Sequence, residues 1–262
     1  MIARCVSIGV LSAACLLAQK GILLEDLTWM EAEKVLKPET IVVIPVGAES
    51  KEHGPHLKLK NDFVMAEYFK RQVLARADVV VAPTVNYSYY PAFMEYPGST
   101  SLRLETARDM FVDICRVLSN YGPKRFYALN TGVSTMRALE AEKRVLAEAG
   151  IQFTYTNILE AGAAAEKLVG KQEGGTHADE IETSMMLYID PASVDMKKAV
   201  KDYHPSEKGG LTRDPGKAGT YSASGVFGDA TLASRAKGEA VVRAVTETIL
   251  KDIEALRLAA AR

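Results

Sequence analysis

Only four histidines serve the 262 residues of this chain, and two of them fall in one short loop. His53 and His56 lie in Glu49-Ser50-Lys51-Glu52-His53-Gly54-Pro55-His56, with Asp62 close behind. An imidazole and carboxylates gathered on one loop offer the nitrogen and oxygen donors that a divalent Zn, Mn or Fe ion takes. The same spacing also describes a solvated polar loop with Lys51 and Glu52 in water. A second cluster follows a glycine pair, in Gly174-Gly175-Thr176-His177-Ala178-Asp179-Glu180-Ile181-Glu182. A helix from about Thr176 would set His177 and Glu182 near its first turn, where both could face a site. Taken singly, His177 reads as a helix-capping residue and Glu182 as an exposed carboxylate. A third candidate is Ser134, on a strand-to-helix turn of the kind that carries nucleophilic serines. With His177 as its base it would give metal-free hydrolysis. However, Gly132-Val133-Ser134-Thr135-Met136 lacks the second glycine of that turn and would leave Glu52 and Asp62 without a role.

Strands must deliver these loops. Residues 40–46 are a continuous apolar, largely β-branched run, as expected of a strand buried on both faces of a parallel sheet, and they feed the Glu52–Asp62 loop. Asp62 is placed to cap a helix with Met65, Phe69 and Val73 on its inner face. Residues 78–85 read as a second strand, and 87–97 as a loop rich in aromatics. There Tyr87, Tyr89, Tyr90, Phe93 and Tyr96 would form a pocket wall or a subunit contact. A helix with Leu104, Ala107, Met110 or Phe111, Ile114 and Leu118 along one stripe follows. A third strand at 125–130 then exits into Thr131-Gly132-Val133-Ser134, and a helix ends at Gly150. A fourth strand is expected at 151–157, a surface excursion at 205–228, and a last helix capped by Asp229 and running through Leu256. Strands alternating with helices imply an α/β fold with a mostly parallel sheet covered on both faces, and neither linker nor repeat divides it.

Composition removes other classes. Lys and Arg total 32 against 33 Asp and Glu, so no basic field supports nucleic-acid binding. No glycine-rich phosphate loop and no paired Cys-x-x-Cys is present. Cys5, Cys15 and Cys115 have no metal-ligand or redox spacing. Residues 1–20, with Arg4 ahead of an apolar stretch shorter than the ~20 residues of a membrane span, read as a signal peptide. Ser12-Ala13-Ala14-Cys15 is an imperfect lipoprotein box. An exported, periplasmic protein is expected. The other reading is a buried first helix in a cytoplasmic one. One domain then spans 24–258.

Glu52-His53-Gly54-Pro55-His56-Leu57 with Asp62, and His177-Ala178 with Glu182-Thr183-Ser184, resemble the motifs of the creatininase (creatinine amidohydrolase) family. Tyr96-Pro97-Gly98-Ser99-Thr100 and Gly225-Val226-Phe227-Gly228-Asp229 are similar to further landmarks, so the resemblance runs from about Leu24 onward. It implies a three-layer α/β/α sandwich, commonly oligomeric, that hydrolyses small cyclic or linear amides with one or two divalent ions, Zn, Mn or Fe. Residue by residue, it implies metal ligation by Glu52, His53, Asp62 and Glu182, with Asp62 the bridge between ions. His177 becomes the general acid or base, and His56, Tyr96, Thr131 and Ser134 the substrate contacts. Two places depart from the pattern. Lys51 stands where the family has its loop Glu, leaving Glu52 or Glu49 to serve. Gly132 stands where the family has a metal-binding His, leaving only His56 or His204 as replacement. A family member that has lost catalysis and binds a small ligand is the alternative.

Overall fold

The computed structural model describes residues 19–205 and 209–259. The signal peptide and Cys15 lipobox expected from the sequence lie, up to residue 18, outside these. The fold takes hold at Gln19, ahead of the expected boundary at Leu24. The Lys20 and Gly21 amides both donate to the Leu74 carbonyl, and β1 (Ile22–Leu23) forms one edge of the sheet.

Five parallel strands make the central sheet in the order β1, β3 (Val80–Val81), β2 (Ile41–Val46), β4 (Arg125–Asn130), β5 (Gln152–Tyr155). Both central strands are buried along their whole length, because alternate side chains enter two different cores. Ile41, Val43, Tyr127 and Leu129 pack on one face with Met65 and Phe69 of α2 (Asn61–Arg76). The same core takes in Met185 of α7 (Glu180–Ile189) and Val241 and Ile249 of α8 (Arg235–Ala259). Val42, Ile44, Phe126 and Ala128 meet Phe111 and Cys115 of α3 (Leu104–Ser119) and Leu139 and Leu146 of α4 (Met136–Glu148) on the other face. The result is the expected α/β/α sandwich. Short helices α1 (Trp29–Val35), α5 (Ile158–Ala161) and α6 (Ala163–Val169) complete the layers. α7 and α8 lie so close that a Cβ on Gly238 would overlap the Ser184 carbonyl.

Several boundaries differ from the sequence expectation for non-local reasons. α2 starts at Asn61 after Lys60, so Asp62 lies inside the first turn and spends its carboxylate elsewhere rather than capping. α7 starts at Glu180, not near Thr176, because His177 is held extended by pairing with Phe227, and Asp179 is the N-cap. Asp229 caps a 3₁₀ turn at Ala230–Leu232, and α8 begins later. The excursion expected at 205–228 folds back: β6 (Lys201–Asp202) pairs with β9 (Gly228–Asp229), and β7 (Leu211–Thr212) with β8 (Thr220–Tyr221). Glu95 ties this segment down by accepting from the Thr212 hydroxyl, the Arg213 amide and Lys217.

One buried acid lies away from the sheet's C-terminal edge. Glu142 of α4 is fully buried, accepts only a 3.5 Å contact from Cys115 Sγ, and leaves Oε2 without a partner. Burial pushes its carboxyl up to about 9. A carboxyl whose folded pKa exceeds its unfolded value costs nothing below about 4.5. As pH rises toward 9, the unfolded state releases a proton the folded state keeps, and stability falls by ~1.4 kcal/mol per pH unit. Glu142→Gln is therefore expected to match wild type near pH 5 and to exceed it by several kcal/mol at pH 8.5 in urea titrations. Parallel pH profiles for the two proteins would refute this.

Candidate active site

The strand exits of β2 and β4 lie side by side where the chain reverses its direction across the sheet, the place where open α/β sheets bind ligands. Thr131, just after β4, locks the two exits together: its hydroxyl donates toward the carbonyls of Val46 and Asp62 at 3.1 and 3.0 Å. Asp62 is thereby fixed at the floor of the site.

Around it the β2 loop and the start of α7 converge. The Asp179 cap receives the Ile181 and Glu182 amides at 2.9 Å each. Ala178 is forced to φ 47°, an unfavourable left-handed conformation for a residue with a Cβ. That turn aims the Ala178 amide at Glu182 Oε2, 2.6 Å away, and holds Glu182 across from His53. Asn61 Nδ2 donates to Glu182 Oε1 at 3.1 Å.

His53 is the centre of the cluster. Its Nδ1 lies 2.9 Å from the Lys51 carbonyl and must carry the proton it donates there. Nε2 faces Asp62 Oδ1 at 2.8 Å and Glu182 Oε1 at 3.4 Å. Burial and the Lys51 charge oppose protonation of the ring, yet the two carboxylates hold its pKa up to about 9. Desolvation likewise opposes ionisation of Glu182, but the charges of His53, His177 and Lys51 keep it well below the usual carboxylate range. Such a neighbourhood calls for positive charge. Ligands each ~2.1 Å from a shared ion stand about 3 to 3.4 Å apart, close to what these atoms show. The His53 backbone-carbonyl contact is also the usual outer support of a metal-bound imidazole. His53 Nε2 stands at such a distance from each of the two carboxylates, and the grouping whose donor atoms all lie within 4.8 Å of one another, and so could hold an ion, is His53, His177 and Glu182.

His177 is oriented differently. Its Nε2 lies 3.0 Å from the Glu52 carbonyl and 3.1 Å from Glu52 Oε2, leaving Nδ1 toward Glu182 Oε2 at 3.8 Å. Phe93 stacks beside it, with centroids 4.4 Å apart. Glu52 is turned from Asp62 toward His177 and the Gly54 amide, against Gly225, where φ is +86° and any Cβ would collide with the carboxylate. Glu49 accepts from Asn86 at the surface.

A cavity of about 360 Å³, within the small-molecule range, opens over this cluster. Thr131, Ser134, His177 and Glu182 line it together with Phe93 and Leu211. His56 lies below, 1% exposed, bonded through Nε2 to Thr183 Oγ1 at 2.8 Å, and burial pushes it down to about 4. Tyr96 is buried and donates to the Ser222 carbonyl. His204 is exposed beside Asp202, away from the cluster. Ser134 makes no hydrogen bond with His177 among the described residues.

Sequence reasoning passed over Lys51. It is 5% exposed, its ammonium lies 2.6 Å from Asp62 Oδ2, and the Phe93 ring sits 4.7 Å beneath it. Its only signal was its place in the motif, where a Glu is usual. Asn61 was missed, and Thr183, part of the quoted motif, was given no role; only the fold joins them to Glu182 and His56.

A parallel α/β/α sandwich that gathers imidazoles and carboxylates beside a small-molecule cavity at its strand exits is the frame of a hydrolase. Residues 25–253 match the family described as Creatininase: Creatinine amidohydrolase. The chain belongs to the creatininase family. It is 27% identical over 253 residues to creatinine amidohydrolase of Pseudomonas putida, covering 89% of this chain and 96% of the relative. A solved structure described as "Creatininase Mn" superposes with a TM-score of 0.74 at 26% identity, covering 89% of this chain and 98% of that one. A mutant creatininase described as of "Zn-Zn type" gives 0.72 at 26% identity, covering 89% and 97%.

Proposed function

We propose that this protein hydrolyses a C–N bond of a small cyclic or linear amide, using a divalent ion held by His53, Asp62 and Glu182. The observation that carries the reading is His53 Nε2 turned between two carboxylate oxygens, a position that demands positive charge, which a ring proton supplies in the metal-free protein and a divalent ion would supply in its place. A Zn or Mn ion there would supply Lewis acidity for the carbonyl and for a water nucleophile. The chain's own residues do the rest. Glu52 holds His177 by Nε2, so that Nδ1 is the atom placed to take a proton and return it to the leaving nitrogen, which departs poorly as an anion. Thr131 and Ser134 line the wall where a substrate oxygen or carboxylate would lie, and Phe93 limits water around His177. The serine route has less support, because the His177 nitrogens are directed at Glu52 and Glu182.

Turnover of a panel of lactams and short linear amides tests this. Dialysis against a chelator is expected to abolish activity, and Mn or Zn to restore it. Turnover that survives in fully metal-free protein would overturn the reading.

A further inference from the structure

We propose that the Lys51 ammonium stands in for a second metal ion, so that each chain holds one divalent cation beside one built-in organic cation. This rests on the metal-dependent reading above and assigns the division of that same site.

Asp62 presents two oxygens to the site. Oδ1 is directed to His53, and Oδ2 to the Lys51 ammonium at 2.6 Å, with both residues nearly inaccessible to water. Two departures from the family pattern meet at that second oxygen. Lys51 replaces a Glu, and Gly132 replaces a His. A Cβ on Gly132 would lie 3.8 Å from Asp62 Oδ2, so a side chain there would reach the same spot. Both changes remove a donor atom, and a charged lysine has only N–H donors and cannot ligate.

Among the described residues, the nearby candidates for the lost donors are otherwise engaged. His56 is tied to Thr183, His204 is at the surface, and Glu49 is bonded to Asn86. Glu52 turns to His177 and Gly54. Charge agrees with donor count. Asp62 already carries the Lys51 ammonium on Oδ2, so a second divalent ion would sit against that ammonium on the same buried carboxylate. The arrangement also has a use. Lys51 lines the cavity, so the N–H donors not spent on Asp62 are open to a substrate oxygen.

The full chain, stripped of metal, reloaded with excess Mn or Zn and desalted, is analysed for bound ion by mass spectrometry and calorimetry. Wild type is expected to hold one ion per chain, and Lys51→Glu with Gly132→His to hold two. Two ions in wild type would overturn the proposal while leaving the metal-dependent reading intact. No ion under metal-replete conditions would overturn that reading as well. A folded double variant that remains at one ion would also count against Lys51 as the excluding group. If the double variant does not fold, the wild-type count decides.

Discussion

Exchange of His177 for Gln is expected to lower amide turnover by about 10²–10⁴-fold, the usual contribution of a positioned proton carrier, while bound metal stays at the wild-type level. The two site imidazoles are held in opposite senses, and this separates their roles. His53 gives Nδ1 to a backbone carbonyl and presents Nε2 to Asp62 and Glu182. His177 gives Nε2 to Glu52 and stands 3.8 Å from Glu182 through Nδ1, beyond hydrogen-bond contact and beside rather than between the carboxylates. Removing a proton carrier removes an interaction made in the transition state, so kcat and kcat/KM are expected to fall together. Glu52→Gln keeps the shape but weakens the support of the ring, with an expected loss of roughly 10–100-fold, as for other residues that orient a working imidazole. Metal analysis beside kinetics checks the assignment. If the His177 variant loses its ion in proportion to its activity, His177 is a ligand and the proton carrier must be sought elsewhere.

How much of this could be read from the sequence depended on whether the determining contact was local. The buried strand at 40–46 was legible because its burial is written as an unbroken apolar run, and the stripe through Ala107 and Phe111 because helix periodicity selects it. The start of α7 was not, since Gly174-Gly175-Thr176 has the composition of a helix entrance. Its backbone is instead claimed by Phe227, fifty residues away. Pairings of two residues, such as β7 with β8, leave no periodic trace at all. The chemistry followed the same division. His53, Asp62, His177 and Glu182 were visible through motif likeness, but their convergence belongs to the fold. Lys51 illustrates the limit. A lysine among Ser, Glu and His reads as solvated, and only the closure of Phe93 and the α2 turn over it converts that charge into part of the site. Glu142 misleads in the same way, as a polar position on a helix whose outer neighbour, α3, is supplied by packing.

Asp62→Asn is expected to destabilise the metal-free protein by about 3–5 kcal/mol, the cost of leaving one partner of a buried ion pair uncompensated, and to lower metal binding below detection at micromolar ion. Asparagine preserves the volume, so the loss would be electrostatic: the Lys51 ammonium, 5% exposed, keeps its position over Phe93 but loses the carboxylate 2.6 Å away. Replacing both charges by groups of similar size is often neutral or stabilising. Lys51→Met combined with Asp62→Asn is therefore expected to recover most of the lost stability without recovering the metal. Urea unfolding of the four metal-stripped proteins closes a double-mutant cycle. Strictly additive effects would mean that Lys51 does not neutralise Asp62, and the picture of a built-in cation would fail with them. The same ion pair is expected to hold the site together when metal is removed. A cluster made only of carboxylates and neutral imidazoles leaves its charges opposed when the ion departs, whereas here Lys51 remains on Asp62. Removal of the ion by a chelator should thus abolish hydrolysis well before it unfolds the chain.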